Sequence, residues 1–265
     1  MEAEIGIIGG SGFYSLAGNL AEVEMDTPFG KPSSQIGIGN IGGKKVAFIS
    51  RHGKKHTIPP HKVPYKANIE ALRQLGVKRI ISSSAIGSLR KEYRPGEIVL
   101  FDQFVNMTHG RDDTFFHESP VTHVSSADPY CGELREFAAE TAGRIDAKLH
   151  KTGTVVVVNG PRFSSRAESR FFKAQGFDVI SMTQYPEVML ARERGICYAG
   201  IGTITDYDAG LEGSEDIEPV TAKEVSANFA KTVGMVKKMI VEMIPMVRTE
   251  RMCRCGNALD GAVMG

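Results

Sequence analysis

The chain has 265 residues, and its 32 Lys and Arg against 31 Asp and Glu leave a formal net charge of +1, which argues against nucleic acid or an anionic membrane as partner, since each calls for a basic face. No apolar run reaches the roughly 18 residues of a bilayer span, and Met1-Glu2-Ala3-Glu4-Ile5 lacks the basic start of a secretory signal. Four cysteines are too few for a disulfide framework, so Cys131 and Cys197 read as reduced residues of a cytoplasmic protein.

The chain opens on a short apolar strand, Ile5-Gly6-Ile7-Ile8, followed by Gly9-Gly10-Ser11-Gly12. Glycines directly after a first strand let the backbone approach a ligand, and successive N–H groups can form an anion-binding concavity. The pattern is not GxGxxG and no Walker lysine follows, so dinucleotide and P-loop readings both lose support. The loop Asp26-Thr27-Pro28-Phe29-Gly30-Lys31-Pro32 is rigid. A strand over residues 45–50 ends in Arg51-His52-Gly53. There Arg can bind an oxyanion bidentately and His can donate one N–H.

An amphipathic helix is expected from Tyr65 to Leu75, and a strand from Val77 to Ser83 that leads into Ser84-Ala85. A further strand spans Glu97–Phe101. Residues 106–127 read as loop; their His109, His117 and His123 fit no familiar metal-ligand spacing. A helix over 133–143 precedes Val155-Val156-Val157-Val158, a strand buried on both faces and stopped by Gly160-Pro161. Phe163, Ser164 and Ser165 then offer a flat apolar face and two hydroxyls at the end of a central strand, where open α/β sheets place their ligands.

Beyond the next helix a strand over 177–180 ends in Met182-Thr183-Gln184, and Pro186 starts another helix. The last strand, 196–204, ends at Thr205-Asp206-Tyr207-Asp208. Carboxylates at i and i+2 on a strand end point the same way, and an Asp of raised pKa can hand a proton to a ring nitrogen. A Gly- and acid-rich loop over 209–219 suits a mobile lid, and a long helix over 220–247 closes the fold. In the tail, residues 248–265, Cys253-Arg254-Cys255 lacks the second half of a zinc site; a thiol pair or a local disulfide is the better reading.

Strands and helices alternate throughout without linker or repeat, so residues 1–265 are expected to form a single α/β domain around a mixed, largely parallel sheet flanked by helices. Small, hydroxyl or charged residues close five strands, at 9–12, 51–52, 84–85, 163–164 and 182–183, and two Asp close a sixth. Together they describe a pocket for an anion and an aromatic ring.

These motifs, with Gly160-Pro161-Arg162-Phe163-Ser164-Ser165-Arg166-Ala167-Glu168-Ser169 and Pro186-Glu187, resemble the purine nucleoside phosphorylase superfamily and its 5′-methylthioadenosine phosphorylase branch. The resemblance runs from Ile5 to about Val247. It implies phosphorolysis of a thionucleoside, with inorganic phosphate as co-substrate and neither cofactor nor metal. It places phosphate contacts on Ser11, Arg51, His52, Ser84, Ala85 and Thr183. The base would stack on Phe163, Met182 would lie along the ribose, and Asp206 and Asp208 would face the purine edge as the catalytic pair. Ser164 stands where inosine- and guanosine-cleaving relatives carry Glu. His123 would reach the 5′-alkylthio group bound by the neighbouring subunit of a trimer or a dimer of trimers. Asn159, Gln184 and Tyr185 depart from the pattern, and reshaping of the base pocket by them would mean a 6-oxopurine substrate such as methylthioinosine, inosine or guanosine.

Overall fold

The computed structural model describes residues 2–9, 20–210 and 220–264. Ser11 and the loop over 211–219 lie outside these residues. Among the described residues, eleven strands form one mixed sheet: β1 (Ile5–Gly9), β2 (Ala21–Val23), β3 (Ile36–Ile41), β4 (Lys44–Ser50), β5 (Arg79–Ser88), β6 (Ile98–Leu100), β7 (Gln103–Met107), β8 (Leu149–His150), β9 (Thr154–Val158), β10 (Val179–Ser181) and β11 (Cys197–Asp206). The helices are α1 (Tyr65–Gln74), α2 (Gly132–Arg144), α3 (Arg166–Ala174), α4 (Gln184–Glu193) and α5 (Ala222–Met243).

The strand order is β2-β3-β4-β1-β5-β10-β9-β7, and β11 branches from β5 towards β6 and β8. β5 is the organising strand. Along one edge it pairs in parallel with β11, from Arg79 to Gly87. On the other edge, β1 covers Arg79–Ser82 and antiparallel β10 covers Gly87 and Ser88. Among the described residues, Ser83, Ser84, Ala85 and Ile86 therefore have no strand neighbour on that edge. This gap, where the sheet changes partner, is the kind of crevice in which α/β folds hold ligands.

Alternation along the central strands feeds an apolar layer on each face. Ile8, Ile80 and Tyr198 point towards α1 and α4, where Ile69, Leu72, Val188 and Leu190 are buried. Ile7, Ile81, Cys197 and Ala199 point towards α2 and α5, against Leu134, Ala138, Val236 and Met239. Burial on both faces explains why β5, β9 and β11 are runs of apolar and small residues, without the polar alternation of a half-exposed strand. Gly200 in β11 answers a close approach, because a Cβ there would lie 2.4 Å from Gln184 Oε1 and 2.6 Å from the Phe101 ring.

Several sequence-based boundaries shift. The strand expected to stop at Ser83 runs on to Ser88, so Ser84 and Ala85 lie inside it. The strands β2, β3 and β8, and β7 whose last residues enter the segment read as loop, carry weak local signals: β2 and β8 are three and two residues long, and β3 is interrupted by Gly37, Gly39 and Asn40. The final helix ends at Met243, before Pro245 in a short 3-10 turn. The tail folds back: Arg79 donates to the carbonyls of Thr249 and Glu250, and the Met264 N–H donates to the Val121 carbonyl.

Candidate active site

The gap along β5 opens into a cavity of about 690 Å³. Arg51, His52, Ser84, Ala85 and Thr183 line it together with Phe163, Ser164, Met182, Asp206 and Asp208. Ten of the sequence-predicted site residues thus meet in one space. His123 does not; it is exposed, outside the cavity, with its backbone N–H on the Ala262 carbonyl.

At one end are Arg51, His52, Ser84 and Thr183. Arg51 is fully buried and does not present an open fork. Its Nε and Nη2 donate to Glu187 Oε2 and Oε1 at 2.7 and 2.8 Å, Nη2 also donates to Ser82 Oγ at 2.5 Å, and Nη1 donates to the Ser83 carbonyl at 2.9 Å. Four of five guanidinium protons are spent, which leaves one on Nη1 for a ligand. Burial works against this charge, yet the attraction and hydrogen bonds of Glu187 outweigh it and hold Arg51 above its ordinary pKa.

His52 also differs from expectation. Its Nδ1 lies 2.9 Å from the Ile58 carbonyl. A carbonyl only accepts, so Nδ1 carries the proton. Burial, reinforced by the neighbouring Arg51 charge, holds His52 down to about 4. The ring is therefore neutral near pH 7 and Nε2 is an acceptor, where a second N–H donor had been expected.

Ser84 is set up as a donor. Gln184 Nε2 donates to Ser84 Oγ at 3.2 Å, while Gln184 Oε1 accepts from Tyr130 OH at 3.3 Å. The Ser84 hydroxyl proton is then free to point into the cavity. Thr183 sits beside it, buried at the start of α4.

The other end holds the two aspartates. β11 ends at Asp206, and Asp208 enters through a left-handed turn (φ 52°) instead of along the strand. Asp206 is 6% exposed. Its Oδ1 accepts the Asp208 backbone N–H at 2.8 Å and its Oδ2 accepts the Thr205 hydroxyl at 2.7 Å. Burial exceeds the relief these two bonds supply and pushes Asp206 up to about 7. Gly87 makes room for it, since a Cβ there would lie 2.9 Å from Asp206 Oδ1. Burial also raises Asp208; Ser164 and Ser169 lie beside it and favour its charge, but among the described residues its Oδ2 and Ser164 Oγ have no partner within hydrogen-bond reach. Ser84 and Gly87 are three residues apart on β5, so the two ends are separated by about 10 Å. Phe163, 37% exposed, forms part of the wall between them.

Three residues acquire roles that the sequence did not display. Glu187 is fully buried, and its Oε1 also accepts Tyr198 OH at 2.6 Å. Gln184 lies behind Ser84, outside the base end. Arg111 donates from Nη2 to the Met182 and Asn159 carbonyls at 2.8 and 3.0 Å and from Nη1 to the Tyr185 carbonyl, fixing the turn that carries Met182. Asn159 Oδ1 accepts from Arg111 Nε, and Tyr185 OH donates to Asp113 at 2.6 Å. None of Asn159, Gln184 and Tyr185 lines the cavity, which removes the ground for a reshaped base pocket. Apart from Glu187 with Tyr198, 11 positions away, each partnership joins residues 48 to 136 positions apart, beyond any local spacing pattern.

Residues 4–245 match the family model described as the phosphorylase superfamily. The chain is 50% identical over 265 residues to the S-methyl-5′-thioadenosine phosphorylase of Thermofilum pendens, with 99% of each chain covered. It superposes with a TM-score of 0.92 on a methylthioadenosine phosphorylase sourced from an antarctic soil metagenomic library, at 38% identity over 99% of this chain and 93% of that one. The score is 0.91 for the methylthioadenosine phosphorylase of Schistosoma mansoni in complex with adenine, at 35% identity over 99% and 98% of the two chains.

Proposed function

Because the chain belongs to the phosphorylase superfamily, we propose that it uses inorganic phosphate to cleave the N-glycosidic bond of 5′-methylthioadenosine, releasing adenine and 5-methylthioribose 1-phosphate. The observation that carries this reading is a single cavity with an anion-suited end and, about 10 Å away, a carboxyl group raised to about 7. A nucleoside spans that distance with its ribose between the two ends.

Cleavage builds positive charge on the ribose and negative charge on the departing purine. Phosphate held below C1′ stabilises the first and then captures it. Asp206, half protonated near neutrality, neutralises the second by supplying a proton to N7, while the unpaired Asp208 Oδ2 accepts from the 6-amino group. Phe163 stacks on the base and Met182 lies along the ribose. At the phosphate end Ser84, Thr183 and the remaining Arg51 Nη1 proton donate, and Ser11 and Ala85 complete the contacts. Neutral His52 accepts at Nε2 a hydrogen bond from the O–H of monohydrogen phosphate. Phosphate is the second substrate and no organic cofactor takes part. Residues 1–265 act as one unit, in a cytoplasmic setting that suits four free cysteines.

Initial rates with 5′-methylthioadenosine and 5′-methylthioinosine, each with and without phosphate, test the assignment. Adenine release that requires phosphate, and faster turnover of the amino nucleoside, is the expected result; phosphate-independent release would make the chain a hydrolase instead. Phe163→Ala is expected to raise KM for the nucleoside by roughly tenfold, since stacking of one base on an aromatic ring contributes about 1–3 kcal/mol. Gln184→Ala frees the Ser84 hydroxyl to turn away. Its expected effect is a higher KM for phosphate with the nucleoside KM unchanged, read from two-substrate kinetics.

The exposed position of His123 supports a homo-oligomer, a trimer or a dimer of trimers, in which it reaches the 5′-alkylthio group in a neighbouring subunit's cavity. Sedimentation velocity gives the stoichiometry, and a monomer at full activity would end this role for His123.

A further inference from the structure

Far from the cavity, four sulfur atoms from three segments converge. Cys197 opens β11, Cys131 precedes the first turn of α2, and Cys253 and Cys255 come from the tail. All four Sγ atoms lie within 4.8 Å of one another, and Cys197 Sγ and Cys253 Sγ are 3.3 Å apart. All four are free thiols, and Cys131 and Cys197 are buried. The half-site expected of Cys-x-Cys alone is therefore completed by two residues more than 50 positions away.

We propose that Cys131, Cys197, Cys253 and Cys255 are the four ligands of a structural zinc ion that fastens the C-terminal tail to the amino ends of β11 and α2. Zn–S bonds of about 2.3 Å in a tetrahedron put the sulfurs about 3.8 Å apart, within the range that the cluster spans, from 3.3 Å for Cys197 and Cys253 up to at most 4.8 Å. Two disulfides would need only two close pairs, whereas here each sulfur approaches the other three. A tetrathiolate surrounds the ion with excess negative charge, and the surroundings answer it. Cys131 stands at the amino end of α2, where the helix dipole favours a thiolate. The Arg251 guanidinium lies near Cys197, and the Cys255 backbone lies near the Cys253 sulfur. The tail is held before the pair, by Arg79 on the Thr249 and Glu250 carbonyls and by Arg251 Nη1 on the Gly195 carbonyl at 2.7 Å, and after it by the Met264 N–H on the Val121 carbonyl. Thiolate ligands select zinc over hard cations, and binding one Zn²⁺ releases the four thiol protons.

Cys197 and Asp206 are at opposite ends of β11, roughly 30 Å apart, so the site is structural and separable from turnover. The test is elemental analysis of the full-length protein, expressed with zinc and purified under reducing conditions without chelator. About one zinc per chain is expected, exchangeable for Co²⁺ with the intense visible absorption of a tetrahedral tetrathiolate. Cys253→Ser with Cys255→Ser touches only the tail. It is expected to abolish metal binding and the cobalt spectrum and to lower Tm by roughly 5 °C or more, with kcat retained. Metal-free protein whose mass and thiol titration show intramolecular disulfides would overturn the proposal. So would metal or a cobalt spectrum that survives in the double variant.

Discussion

Replacing Asp206 with asparagine is expected to slow turnover by roughly 10²–10⁴-fold, the usual worth of a positioned general acid, and at the same time to stabilise the fold above neutral pH. The amide fits the site. Its oxygen can accept the Asp208 N–H, and its NH₂ can donate to Thr205 Oγ, whose own proton then goes to the Ile86 carbonyl at 3.2 Å. Burial holds the native carboxyl at about 7, against about 3.9 in an unfolded chain. The folded state thus binds the extra proton between those values. The resulting stability is complete below about pH 4 and is lost as pH rises through 7, a swing of roughly 4 kcal/mol. The asparagine variant has no such loss, so at pH 8 it should unfold at higher denaturant than the native chain. Wild-type kcat should fall by about tenfold per pH unit above 7, and the variant's should be flat there. Loss of activity together with loss of stability would point to damage instead of a missing proton.

Glu187→Ala is expected to be the most destabilising single substitution at the site. It strips Arg51 of both its bidentate contacts and leaves a guanidinium buried without a counter-charge, at a cost of roughly 3–5 kcal/mol. Denaturant titration reads this directly. The pair itself is not the source of stability, because two charges were desolvated to form it. Arg51→Met combined with Glu187→Leu should therefore recover most of the lost stability while leaving the enzyme inactive at low phosphate. Recovery of both stability and phosphate affinity would show that Arg51 does not serve the anion.

What could be read from the sequence follows the range of the interactions. The four consecutive valines of β9, the hydroxyl-rich end of β5 and the two Asp at the end of β11 and just beyond it each carry a local signature, and all line or support the cavity. Arg51 and His52 were legible as residues but not as donors. Their protons are directed by Glu187 and by the Ile58 carbonyl, and only the folded chain shows that Arg51 is left one free proton and His52 an acceptor. Arg111 and Gln184 act on backbone or hydroxyl groups tens of residues away, which no spacing rule registers. The tail cysteines read as an isolated pair for the same reason: their partners come from two other segments.

The tautomer of His52 bears on which anion the enzyme will take. At neutral pH sulfate and phosphate have nearly the same size and shape, but sulfate has no proton to give. A ring nitrogen that can only accept meets a lone pair on sulfate and an O–H on monohydrogen phosphate. On the proposed phosphate contacts, the other donors would bind either ion and this one acceptor would discriminate, so sulfate in the surrounding medium should compete poorly even at concentrations well above that of phosphate.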